Sequence, residues 1–413
     1  MRGPGLGEDA KNLSVITASG LVAVVLTAGL LFARAAPDQT RHRVRSVRLE
    51  PLADLGPVSG SPRLYGSVVT RDGTAHRGFI RWDRNEGSWS DLLDANKLRR
   101  RGTTAQSGIR FGHVRRIDVL SRQGALFTLK SGDQVEMGAR ATDLGSGLRA
   151  LLVDDPDTGR TLELRWGELE SVVFEPAPER VTPREARLYG TLATRSGLEF
   201  EGYIAWDVDE IYTTDVLDGD DASHDRRKIP FGSIAAIERY GSRAAKVTLV
   251  NGEQVILRGT NDVDASNNGI TVSDAALGQA KVDWGELESV RFHRPRTQPG
   301  YGSFDGGERL YGTVLTELGE ELSGEIAWDN DEEYSWEMLN GDVEGVELHV
   351  EFSRIARIEK TSRGALVELR DGRVFELGGS NDVDEGNRGI TIRSGGGAHE
   401  VEWESFRELR LTR

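Results

Sequence analysis

The sequence predicts an all-β protein of three tandem repeats, each of them double, behind an N-terminal apolar segment. Three landmarks carry this reading. The tetrapeptide Arg-Leu-Tyr-Gly starts at Arg63, Arg187 and Arg309, spaced 124 and 122 residues apart. A Trp-Asp pair follows each start, at Trp82-Asp83, Trp206-Asp207 and Trp328-Asp329. Each unit then ends on a related segment: WGELESVVF at 166–174, WGELESVRF at 284–292 and WESFRELRL at 403–411. The repeats therefore occupy 63–175, 187–293 and 309–413. Proline-rich stretches at 176–186 and 294–308 separate them and read as exposed connectors.

Within the units, six dipeptides mark hairpins: Asp72-Gly73, Ser131-Gly132, Ser196-Gly197, Asn251-Gly252, Leu318-Gly319 and Asp371-Gly372. They lie between alternating apolar runs such as KVTLVNGEQVIL at 246–257. Glycine supplies the positive φ of a two-residue hairpin turn. A second landmark also occurs six times, with apolar residues three apart behind an aromatic. It reads Phe111/Val114/Ile117, Trp166/Leu169/Val172, Phe231/Ile234/Ile237, Trp284/Leu287/Val290, Phe352/Ile355/Ile358 and Trp403/Phe406/Leu409. That spacing fits one 3₁₀ turn leading into a strand. The aromatic at its head anchors a core that would otherwise bury little area.

These features describe six modules of ~50–60 residues, near the lower size for independent folding. A meander of short strands, a helical turn and a last strand resembles the SH3-like and Sm-like small β-barrels. The resemblance covers nearly all of residues 63–413, and the paired arrangement is similar to tandem repeats of exported bacterial proteins. It implies two small barrels per repeat. It implies no activity, because function lives in sites grafted on such folds. In Sm-like barrels an aspartate and an asparagine help bind RNA bases. Asp91/Asp94, Asp215/Asp218 and Glu337/Asn340 stand near that place, but no second motif accompanies them and the role is not carried over.

Residues 13–32 run for 20 positions without a charge, ~30 Å as a helix and enough to cross a bilayer. Residues 1–36 are thus a transmembrane anchor or a signal peptide, with an Ala-x-Ala site at Ala33-Arg34-Ala35. Residues 37–62 form a linker. Arg34, Arg41, Arg43, Arg45 and Arg48 favour a cytoplasmic C-terminal part if the segment stays uncleaved. The cleavage site favours export, and the cell envelope is the expected address.

The 413 residues include no cysteine, which excludes disulfides, thiolate zinc and a cysteine nucleophile. The net charge of −15 argues against general nucleic-acid binding. It is uneven: +3 over 63–174 (18 basic, 15 acidic), −7 over 187–293 (11 and 18) and −12 over 309–413 (12 and 24). The seven histidines do not recur at equivalent places, and no metalloprotease, serine-hydrolase or phosphate-loop motif is present.

Three sets of residues are candidates for binding. Asp262, Asp264 and Asn267, repeated as Asp382, Asp384 and Asn387, offer oxygens in a Gly-containing turn and could ligate Ca²⁺. Asx-stabilised loops use the same residues without a metal. Trp82, Trp206 and Trp328, with acidic residues behind them, are either core anchors or a partner surface. Arg99, Arg100 and Arg101 follow Lys97 in the first repeat and would touch anionic lipid or polysaccharide. No other cofactor is expected. The reading that follows is a non-catalytic binding or scaffold protein at the envelope, multivalent through its repeats, with an envelope protein or glycan as partner and a membrane contact through 13–32. The alternatives are a cytoplasmic Sm-like nucleic-acid-associated protein and an envelope polysaccharide hydrolase.

Overall fold

A computed structural model describes residues 60–98, 104–138 and 143–412. The apolar run 13–32 and Arg99, Arg100 and Arg101 lie outside the described residues. Among the described residues no helix is long and apolar enough to cross a membrane. The fold is all-β: the strands among the described residues form three antiparallel sheets of ten, twelve and eight strands.

The first repeat contains β1 (Tyr65–Thr70), β2 (Ala75–Arg81), β3 (Leu92–Leu98), β4 (Thr104–Arg110), β5 (Val114–Ser121), β6 (Gly124–Leu129), β7 (Gln134–Gly138), β8 (Leu151–Asp154), β9 (Thr161–Leu164) and β10 (Leu169–Phe174). Their order across the sheet is β4-β3-β7-β6-β5-β10-β1-β2-β8-β9. This order is a palindrome about the β5–β10 pair. Strands from the two halves of the unit are interleaved. The second half's β7 pairs with β3 of the first, and the first half's β2 pairs with β8 of the second. The two-barrel reading is therefore corrected: no strand pairing among the described residues closes a sheet into a barrel.

The physical reason lies in the central strands. Both copies of the aromatic landmark in a unit lead into neighbouring strands, so their terminal apolar residues face each other. Val68, Val172 and Ile117 form one cross-strand row. Leu192, Val290 and Ile237 form the second, and Val314, Leu409 and Ile358 the third. All nine are fully buried. Separate barrels would leave half of each row without its partner. The glycine of Arg-Leu-Tyr-Gly permits the same closure: a Cβ at Gly66, Gly190 or Gly312 would lie 2.2, 2.3 or 2.5 Å from a carbonyl of the last strand. Five of the six aromatic landmarks open on a 3₁₀ turn, and Trp284 opens on a plain turn. All six hairpin glycines have φ between +83° and +96°, but the residues before them do not. These are therefore type I turns with a glycine bulge, as in Gly73 N–H to Thr70 O and Thr70 N–H to Thr74 O.

The repeats are not beads on a string. The third repeat sends its hairpin Met338–Val343/Val346–Glu351 into the second sheet, where Val346–Glu351 pairs with Gly278–Val282. The hairpin's link to its own sheet is one bridge, Asp342 to Gly378. One hydrophobic core accordingly spans repeats two and three. The second connector is also corrected: Phe304 is buried in the first repeat's core, and Tyr301 lies 4.6 Å from the Trp89 ring. Buried ion pairs complete the joints. Arg187 meets Asp91 at 2.9 Å, and Arg110 meets Glu351 at 2.8 Å with both side chains at most 1% exposed.

Two predictions follow from these joints. Gly278→Ala sets a Cβ 2.0 Å from the His349 carbonyl and should cost about 1–3 kcal/mol in chemical denaturation. Glu351→Gln leaves Arg110 buried without its anion and should cost about 3–5 kcal/mol in the same assay.

Candidate functional site

The same local construction recurs in every repeat. The Trp-Asp segment makes a tight turn whose two central residues take left-handed φ: Asp83 and Arg84, Asp207 and Val208, Asp329 and Asn330. Such φ values are uncommon outside glycine, and most unusual for the β-branched Val208. The turn is closed by bridges from Trp82 to Glu86, Trp206 to Glu210 and Trp328 to Glu332. Each tryptophan is fully buried, and its indole N–H donates to a loop carbonyl: Asp143 at 2.8 Å, Asp262 at 2.9 Å and Asp382 at 2.8 Å. Trp82, Trp206 and Trp328 are therefore core anchors, and the reading of them as a partner surface is corrected.

The indole contact brings the loop aspartate over the turn. Its carboxylate accepts from the third strand of the unit: the Asp94, Asp218 and Asn340 N–H groups reach Asp143, Asp262 and Asp382 at 2.8, 2.6 and 2.7 Å. The turn aspartate in exchange accepts from the loop, at the backbone N–H of Arg149, Asn268 and Arg388. In the second repeat, carboxylate oxygens of Asp207, Glu210 and Asp262 then all lie within 4.8 Å of one another. In the third, those of Asp329, Glu332 and Asp382 do the same.

The expected Ca²⁺ sets are thus divided. Asp262 and Asp382 join a carboxylate cluster; the other four do not. Asp264 Oδ1 accepts from Ser266 and Asp384 Oδ1 from Gly386. Asn267 and Asn387 accept from Gly269 and Gly389 at 2.9 Å. These four hold the loop's own turn. The residues that complete each carboxylate cluster are Asp207 and Glu210 in the second repeat and Asp329 and Glu332 in the third. They stand in the acidic Trp-Asp segments, 50 to 55 residues before Asp262 and Asp382, and only their joint recurrence links them in the sequence.

Both clusters open into clefts. One of about 490 Å³ is lined by Asp207, Glu210, Asp262, Asn261, Asn268 and Lys228, among others. One of about 580 Å³ is lined by Glu332, Asp382, Asn340, Asn381, His349 and Arg388, among others. Their charges are balanced differently. Arg388 Nη2 lies 2.6 Å from Asp329, whereas the residue in its place in the second repeat is the neutral Asn268. Burial, then Asp209, Asp262 and Asp207, push the Glu210 carboxyl up to about 9. Burial likewise raises Asp262 to about 6 and Asp382 to about 6. Glu332 is raised well above the usual range by burial and by Asp382. Glu86, Glu210 and Glu332 share one further property: Oε2 is buried and has no hydrogen-bond partner.

The carboxylates near the Sm-like RNA position are used otherwise. Asp91, Asp215 and Glu337 each accept two backbone N–H groups three and four residues back. Each also meets a cation from another repeat: Arg187, Arg81 and Lys97 respectively. Lys97 is thereby engaged with the third repeat. No protein-family model, curated protein or solved structure matches the chain.

The raised Glu210 gives a signed pH dependence. Its folded pKa lies above the unfolded value, so the folded state keeps a proton that the unfolded state loses as pH rises past the usual carboxyl range. Without divalent cations, stability should fall between about pH 5 and pH 9, where the cited shift ends. Glu210→Gln should fall less steeply over that range in denaturation midpoints. Parallel profiles for the two proteins would show that Glu210 does not hold the proton.

Proposed function

We propose that the chain is a non-catalytic binding and scaffold protein at the cell envelope that holds partners by strand addition. The supporting observation is the internal joint between repeats two and three. Gly278–Val282 is the outer strand of its unit, and it receives a hairpin on its open edge. The approach needs Gly278, whose Cβ would overlap the incoming backbone. The third repeat has the equivalent strand, Gly397–Val401, also opening on a glycine with positive φ. It is the end strand of its sheet, residues 397–400 are exposed, and nothing lies within 4 Å of a Cβ on Gly397. An exposed strand edge is a template for pairing. The partner is a β-strand or hairpin of an envelope protein. Basic side chains suit it, since the surrounding repeat carries −12. The envelope address rests on the apolar run 13–32 and its Ala-x-Ala site.

The test is photocrosslinking from position 399 in intact cells. Adducts to an envelope protein are expected, and Gly397→Ala should remove them while leaving the folded repeat intact. Adducts that are unchanged in Gly397→Ala, or no adducts at all, would overturn the reading.

A further inference from the structure

We propose that the second and third repeats each hold a Ca²⁺ ion, between the Trp-Asp turn and the Asn-Asp loop, ligated by Asp207, Glu210 and Asp262 in one and by Asp329, Glu332 and Asp382 in the other. Acidic clusters alone are common on protein surfaces, so the argument rests on what these carboxylates lack. Glu332 is only 7% exposed, and its Oε2 has no hydrogen-bond partner. A buried carboxylate oxygen without a donor is costly unless a cation supplies the missing charge. One carboxylate oxygen from each of Glu332, Asp329 and Asp382 lies within 4.8 Å of the other two. Two ligands on opposite sides of a Ca²⁺ ion lie at most about 4.6–5.2 Å apart, since each bond is 2.3–2.6 Å. The cluster therefore has the span of one coordination sphere.

The other two repeats sharpen the choice. In the second, the same three positions converge within the same span, and Glu210 Oε2 is again without a partner. In the first, Asp83, Glu86 and Asp143 occupy the corresponding positions, but they are not among the described groups that converge to this distance. Two ions per chain are expected, not three. An all-oxygen set selects a hard cation. The clefts of about 490 and 580 Å³ leave room for water to fill the remaining positions. Ca²⁺ tolerates such irregular ligation, whereas Mg²⁺ demands near-octahedral geometry and sheds its water reluctantly. Affinity should differ between the sites. Arg388 already neutralises part of Asp329 in the third repeat, whereas among the described residues Asp207 accepts from Asn261 and Asn268, and Arg149 in the same cleft lies against Asp209 instead. The second repeat is the tighter site. Neither site includes the open edge at 397–401, so this inference stands or falls separately from strand addition.

The experiment is titration of the full chain with Ca²⁺ and, separately, Mg²⁺ after chelator treatment. Heat, thermal midpoint and Tb³⁺ luminescence are the three readouts. Saturable uptake of two Ca²⁺ is expected, with a rise in midpoint of about 2–5 °C at millimolar Ca²⁺. Trp206 and Trp328 sit against the loops that carry Asp262 and Asp382, so they should sensitise bound Tb³⁺. Glu210→Gln and Glu332→Gln should each remove one ion, Glu210→Gln the tighter, and the double variant should remove both. Asp264→Asn should keep both ions, because Asp264 serves only its own turn. A folded wild type that gives no heat and no midpoint shift would overturn the proposal. So would Ca²⁺ binding that persists unchanged in the folded double variant, and so would equal stabilisation by Mg²⁺.

Discussion

Each repeat depends on one pairing, that of its first strand with its last. Val68 meets Val172, Leu192 meets Val290, and Val314 meets Leu409, all fully buried. Everything else in a unit is arranged on either side of that contact. Its partners are about a hundred residues apart in sequence, so the loop between them must be ordered before the contact forms. The entropic cost of loop closure grows only slowly with length. What such a contact does cost is time, since non-local strand pairing folds slowly and exposes edges on the way. The local hairpins with their glycine bulges are the elements that can form first and bring the two central strands together.

Joining three such units adds buried charge to the shared core and the paired hairpin. Arg110 with Glu351 and Arg187 with Asp91 are withdrawn almost completely from water. Burial pushes the Glu351 carboxyl up, but Arg110 and then His113 outweigh it and hold it well below the usual carboxylate range. Buried pairs of this kind add little net stability over a well-packed apolar contact, yet they penalise any arrangement that separates the partners. In a chain of near-identical repeats that penalty matters. It distinguishes the correct neighbour from a similar strand in the wrong unit, which apolar rows alone would not do.

The sequence displays local structure well and neighbour relations poorly. The six hairpin glycines and the six aromatic landmarks are legible because each needs only a short stretch of chain. The strand order is not, because alternation shows that a strand has a buried face without saying which strand lies beside it. Modules read as separate barrels are therefore interleaved halves. The Met338–Val343/Val346–Glu351 hairpin, whose counterparts stay in their own sheets, belongs largely to the preceding unit. Charges mislead for a related reason. Asp91, Glu337 and Lys97 look like solvated loop residues until another repeat is packed against them. The acidic site was half visible: the Asn-Asp loop suggested oxygen ligands, and the Trp-Asp segments were conspicuous for their charge. What joins them is the tryptophan indole bonded to the loop carbonyl, a contact that only the fold reveals.

That contact also ties the acidic clefts to the way the repeats are joined. In the third repeat, Asp382 accepts from Asn340 on the hairpin strand Met338–Val343, through both its backbone and its side-chain amide. The other strand of that hairpin is paired with the second repeat along Gly278–Val282. One wall of the third cleft is thus fastened to its neighbour. The cluster of Asp329, Glu332 and Asp382 sits between this wall and the body of its own unit. Both Asn340 donors favour the ionised form of Asp382, while burial and the Asp329 charge oppose it, so protonation of Asp382 weakens the Asn340 contact. The second cleft lacks this connection, because its hairpin Val216–Asp220/Arg226–Pro230 pairs only within its own sheet. Two sites of nearly the same construction therefore differ in consequence. Charge in the third cleft acts on a strand-paired joint, whereas the second cleft meets its neighbour through Arg149 of the first repeat, 3.8 Å from Asp209.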